Sequence, residues 1–242
     1  MSKTSNSSSG GSATTWAVLA VLVAAGLGGL GVVMLAGGYS PTDFITEILN
    51  RLFALTSTQT SWYITRAAGI VSYLLLWLST VWGLAVSNKI FDPVLHRMFT
   101  YDFHQFISLL AIGFIILHVS VLLVDQYLPF SVAQILVPFS APYRPVWVGL
   151  GTIGLYLALL VSITFYIRKW IGQKTFRTIH LVSYIAFIAT AVHGLFAGTD
   201  SPLPTVQGMY IVTALVVVFL TAYRIVMSVQ AKRQRATLSG RG

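Results

Sequence analysis

Four of the five histidines in this 242-residue chain, His104, His118, His180 and His193, lie inside long apolar runs, while His96 stands in the loop phrase PVLHRMF. An ionisable ring is costly in hydrocarbon, and one found there marks a functional path or a specific partner. A single membrane histidine is explained as readily by a hydrogen bond to the next helix as by ligation; four need a shared explanation. Spacing narrows it. His104 and His118 are fourteen residues apart, which on a helix advances ~21 Å and returns to within ~40° of the starting face. His180 and His193 are thirteen apart, an advance of ~19.5 Å. On parallel helices the pairs lie at matching depths, with His104 facing His180 and His118 facing His193. Thirteen ideal residues stop ~140° short of four full turns, so the second helix needs a local distortion, a strong tilt or a different side-chain reach.

Two imidazoles converging from neighbouring helices suit the two axial positions of a haem iron, with the flat macrocycle edge-on between them. Zinc would want three or four ligands at one depth, which this spacing does not offer. The chain has no cysteine, which removes disulfides, iron–sulfur clusters and thiolate metal sites. Haem ligated on both faces serves electron transfer more than ligand chemistry, because its axial positions are filled. The expectation is two b-type haems stacked across a bilayer, with irons ~20 Å apart by the helix rise.

The elements that must position these rings are transmembrane helices. The chain is 56% hydrophobic and only 9% charged, with the charges gathered between apolar runs, the composition of a polytopic membrane protein. A spanning helix needs about 20 predominantly apolar residues, because each backbone amide must be satisfied within its own segment. Six stretches qualify, at roughly 16–37, 66–87, 101–124, 146–167, 179–198 and 208–228. The expected architecture is therefore all-α: a disordered Ser/Gly/Thr tail at 1–15, a six-helix transmembrane domain over 16–228, and a basic cytoplasmic tail at 229–242. With the N-terminus inside, the outer segments hold only Arg51, Arg66 and Arg144, leaving twelve of the fifteen Lys and Arg on the inner side. That bias places both termini in the cytoplasm and the protein in the cell membrane. The net charge of +9 then belongs to the inner face, where it attracts anionic lipid, not nucleic acid. GLGGLG at 26–31 matches a dinucleotide fingerprint in letters only, since that motif requires a preceding strand and this copy lies mid-span.

The histidine pairs, H-x13-H and H-x12-H in the third and fifth of six spans, come with WYITRAAGIVSYLLLWLSTVWGL, VPFSAPYRPVWVGLG and FRTIHLVSYIAFIATAVHGLFAGTD. Over about residues 60–228 this resembles the ferric reductase-like transmembrane domain of ferric reductases, NADPH oxidases and bacterial haem subunits of methionine sulfoxide reductase systems. The resemblance implies that His104, His118, His180 and His193 are axial ligands. Two departures matter. The flavin and NADPH module that follows the sixth span in oxidases and eukaryotic reductases has no counterpart in this sequence, so the resemblance implies a separate donor, a flavoprotein reductase or a quinol. Leu122 stands where oxidases of the family carry a further histidine, which argues against superoxide production.

The resulting expectation is transmembrane electron transfer from an inner donor to an outer acceptor such as ferric iron. It is an enzyme activity only if the acceptor is reduced at the outer haem itself. Alternatives are a haem-bearing anchor for a separate oxidoreductase, or a non-redox transporter using its histidines for protons or metal. Arg66, opening the second span, is a candidate partner for an outer haem propionate, because guanidinium binds carboxylate bidentately; interfacial snorkelling is the plainer account. Arg144 is a second outer candidate, and Arg97 and Arg177 are inner ones. Phe187 lies halfway between His180 and His193 and could stand between the haems, although most mid-span aromatics only pack. Residues 43–55 carry one apolar helical face (Phe44, Ile45, Ile48, Leu49, Leu52, Phe53) suited to the outer surface. Asp43, Glu47, Asp125 and Asp200 are outer acids that could attract a cation, or simply solvated loop residues.

Overall fold

The computed structural model describes residues 58–239 together with Ser40, Asp43 and Thr46. The expected first span, its GLGGLG phrase, and most of 43–55 lie outside the described residues. At the start of that last segment, the Asp43 amide donates to Ser40 Oγ at 3.1 Å.

All secondary structure among the described residues is helical. The elements are α1 (Thr58–Ser87), α2 (Arg97–Leu122), α3 (Val132–Leu136), α4 (Pro145–Tyr166), α5 (Arg168–Ile171), α6 (Gln173–His180), α7 (Val182–Ala197) and α8 (Pro204–Ser239). Among the described residues, five stretches are long and apolar enough to cross a membrane: Thr60–Ser87, Arg97–Leu122, Pro145–Tyr166, Gln173–Ala197 and Pro204–Ala231. Several begin before the apolar run does, because hydropathy marks the part suited to hydrocarbon while the helix starts at its cap. His96 caps α2, its Nδ1 accepting from the Met98 amide at 3.3 Å. Pro145 opens α4, where a missing N–H costs nothing.

Two intimate helix pairs form the body: α1 with α2, and α4 with α7. Small residues allow both approaches, as membrane packing favours. Ala68, Ser72 and Ser79 are buried on α1, Ala111 on α2, and Gly154, Ala186 and Ala189 between α4 and α7. A core of Tyr73, Leu84, Phe187 and Val217 joins α1, α7 and α8. There the Tyr73 hydroxyl meets Thr213 Oγ1 at 2.6 Å, and Trp77 Nε1 donates to the Thr213 carbonyl at 3.1 Å. The outward faces keep large apolar side chains exposed, among them Phe106, Leu109, Ile116, Ile185, Ile188 and Phe219, a surface suited to lipid.

The stretch carrying His180 and His193 is not one regular helix. It breaks at Leu181, whose amide bonds Thr178 O at 3.2 Å and whose carbonyl receives the Tyr184 amide, also at 3.2 Å. These i→i+3 contacts wind tighter than an α-helix, adding rotation in the direction that the thirteen-residue spacing falls short.

Candidate functional site

The helix order brings the four rings together as two pairs. His104 on α2 faces His180 at the end of α6, with ring centroids 6.1 Å apart and planes at 76°. His118, further along α2, faces His193 on α7, with centroids 6.3 Å apart and planes at 75°. A metal sits about 2.0 Å from an imidazole nitrogen and that nitrogen about 1.1 Å from its ring centre, so opposite ligands of one metal have centroids about 6.2 Å apart. Both pairs stand at that separation.

The His118–His193 pair also has its ring chemistry set. His118 Nδ1 lies 2.8 Å from the Thr65 carbonyl on α1, and His193 Nδ1 lies 2.9 Å from the Trp147 carbonyl on α4. A carbonyl only accepts, so each Nδ1 carries the proton and each Nε2 keeps its lone pair for a ligand. Such an outer hydrogen bond orients a metal-binding histidine and raises its basicity. In the other pair, His104 Nδ1 lies 3.4 Å from Ser79 Oγ, which is itself 2.6 Å from Ser108 Oγ. His180 Nδ1 is buried with no hydrogen-bond partner among the described residues.

Three glycines complete these placements, and their role was not read from the sequence. A Cβ on Gly69 would stand 3.1 Å from His118 Nδ1, one on Gly83 3.1 Å from His104 Cε1, and one on Gly151 2.7 Å from His193 Nδ1. Each glycine lies one helical turn beyond the hydrogen-bond partner of the same ring: Thr65 and Gly69, Ser79 and Gly83, Trp147 and Gly151. The arrangement is a repeated seat, with a polar partner at one position and bare backbone four residues on, over which the imidazole lies. The available signal was a matching interval: Gly69 and Gly83 are fourteen residues apart, like His104 and His118.

No group of three or more His, Cys, Asp or Glu side chains stands together to hold a metal ion among the described residues. A metal ion held by protein side chains alone therefore has no cluster here. A pair of imidazoles suits a centre that brings its other ligands with it, and the paired rings fit a macrocycle that supplies four.

Most of the other candidates find protein partners. Arg66 Nε donates to Asp200 Oδ2 at 2.6 Å, a second Arg66 nitrogen also contacts this carboxylate, and the guanidinium lies 3.8 Å from the Trp62 ring centre. A propionate would have to share that guanidinium with Asp200. Arg144, in the left-handed region at φ 42°, donates through Nη1 to the Phe196 carbonyl near the end of α7. Arg97 pairs with Asp92 at 3.1 Å on the surface, and Arg177 is exposed. Asp125 is buried and accepts the Tyr127 and Leu128 amides, both at 2.8 Å. Asp125 and Asp200 are thus engaged in separate structural contacts. Phe187 stacks on Tyr73 with centroids 5.9 Å apart, inside the core shared with α8.

In comparisons with protein-family models, curated proteins and solved structures, nothing matches this chain.

Proposed function

We propose that this chain is a membrane-embedded cytochrome b that carries electrons across the bilayer, with His104 and His180 holding one b-type haem and His118 and His193 another. The observation that carries the reading is the recurrence, at two depths, of an imidazole pair with centroids 6.1 and 6.3 Å apart. When bound, haem supplies a one-electron couple and the four equatorial nitrogens that two imidazoles lack.

The protein supplies the rest. The Thr65 and Trp147 carbonyls hold the outer rings with Nε2 inward. α1 and α4 back those rings with bare glycine, and the apolar helices keep water from the centres. Electrons enter from a separate flavoprotein or quinol on the inner side and leave to an outer acceptor such as ferric iron. An inside-negative potential favours that direction by about 2.3 kcal/mol per electron per 100 mV over a full crossing.

The test is a pyridine haemochrome assay and redox titration of the purified chain. Two haem b per polypeptide, a Soret band and sharp reduced α peaks are expected. A folded, colourless protein overturns the reading in favour of a non-redox membrane histidine protein.

A further inference from the structure

The two sites are not built alike, and the difference lies in one ligand. His104, His118 and His193 each rest on a neighbouring helix, with a hydrogen-bond partner for Nδ1 and a glycine one turn further. His180 has neither. Its Nδ1 is buried without a partner among the described residues, and the ring beside it besides His104 is Phe176 of its own helix, with centroids 5.4 Å apart.

The helix that carries His180 is also the least anchored of the histidine-bearing elements. α6 spans only eight residues. It is set off from α5 by Gly172 at φ 82° and from α7 by the break at Leu181. It packs chiefly on α4 and α5, not on the α1–α2 pair that holds His104. By contrast, His104 and His118 project from the 26-residue α2, packed closely on α1, and His193 from the 16-residue α7, packed closely on α4. A ligand leaves its metal when the ring can turn or its backbone can swing. Among the described residues no hydrogen bond at His180 Nδ1 resists the first, and a break at each end of its helix permits the second.

We propose that His180 is a replaceable ligand, and that the inner site takes a small exogenous haem ligand, of the class of carbon monoxide, cyanide or a free azole, while the outer site remains closed. This rests on the haem reading above and adds an asymmetry to it. The inner centre then doubles as a point where a diatomic molecule or an azole halts electron entry.

Carbon monoxide added to the dithionite-reduced, haem-loaded chain is the probe, read by its optical difference spectrum against total haem. Saturation at one carbon monoxide per two haems is expected; none, or two, overturns the proposal. His180→Ala assigns the site. If the variant keeps both haems, carbon monoxide should still saturate at one per two but bind at least ten-fold faster, since no ring must first depart. If it keeps only the outer haem, carbon monoxide binding should vanish. Saturation of every haem present in this variant would mean that the outer site is the one that opens, and the proposal fails. Wild-type chain without haem would overturn the proposed function itself, an outcome distinct from haem-loaded chain that ignores carbon monoxide.

Discussion

His118 and His193 each donate Nδ1–H to a main-chain carbonyl, so replacing either ring removes a ligand without disturbing a charged partner. His118→Ala or His193→Ala should therefore lose the outer haem and keep the inner one, halving haem per polypeptide; unchanged content in both would refute the pairing. Gly151 makes the opposite kind of test. Glycine to alanine in a helix interior ordinarily stabilises by roughly 0.5–1 kcal/mol. Here the new methyl would stand 2.7 Å from His193 Nδ1, so Gly151→Ala should displace the ring. The ferric low-spin EPR signal, which depends on the angle between the two imidazole planes, should shift for the outer centre alone. Asp200 belongs to a different interaction. With Arg66 and Asp200 side chains only 24% and 18% exposed, Asp200→Asn should cost about 1–3 kcal/mol by leaving the guanidinium poorly paired. A lower Tm with unchanged haem content is the expected readout. The histidines were legible because rings in apolar runs are conspicuous. The Arg66–Asp200 pair was not, since its members are 134 residues apart and either alone reads as an interfacial charge.

At the scale of elements, the register of the His180–His193 stretch decides whether two sites exist. The thirteen-residue interval called for a local distortion, a strong tilt or a different side-chain reach, and a distortion stands at Leu181, between α6 and α7. Inserting one alanine after Ala189 would turn His193 by about 100° relative to the preceding part of α7. The outer pair should then be lost and the inner pair kept, read as one haem per polypeptide. A two-haem product would show that the helix absorbs the added residue elsewhere. The five apolar helices among the described residues were readable from hydropathy to within about six residues, because lipid imposes one length and one composition on any crossing helix. Their extensions beyond the apolar runs were not, since a cap such as His96 acts on hydrogen bonds that hydropathy does not measure.

For the molecule as a whole, orientation is the testable consequence. Twelve of fifteen basic residues fall in segments on one side of the expected topology, so a C-terminal green fluorescent protein fusion should be bright and an alkaline phosphatase fusion at the same point inactive. The reverse result would invert the donor and acceptor sides. Composition and the fourteen- and thirteen-residue intervals determined by themselves that the chain is a bundle of apolar helices with imidazoles at two depths, because helix rise and pitch are the same for every sequence. Only the tertiary structure decided what backs each ring. Whether a histidine meets a carbonyl, a serine or nothing, and whether bare backbone lies beneath it, depends on which helices pack together and in what register. A local period carries no record of a neighbour's surface, and so the seats at Gly69, Gly83 and Gly151, and the want of one at His180, emerged only once the helices were assembled.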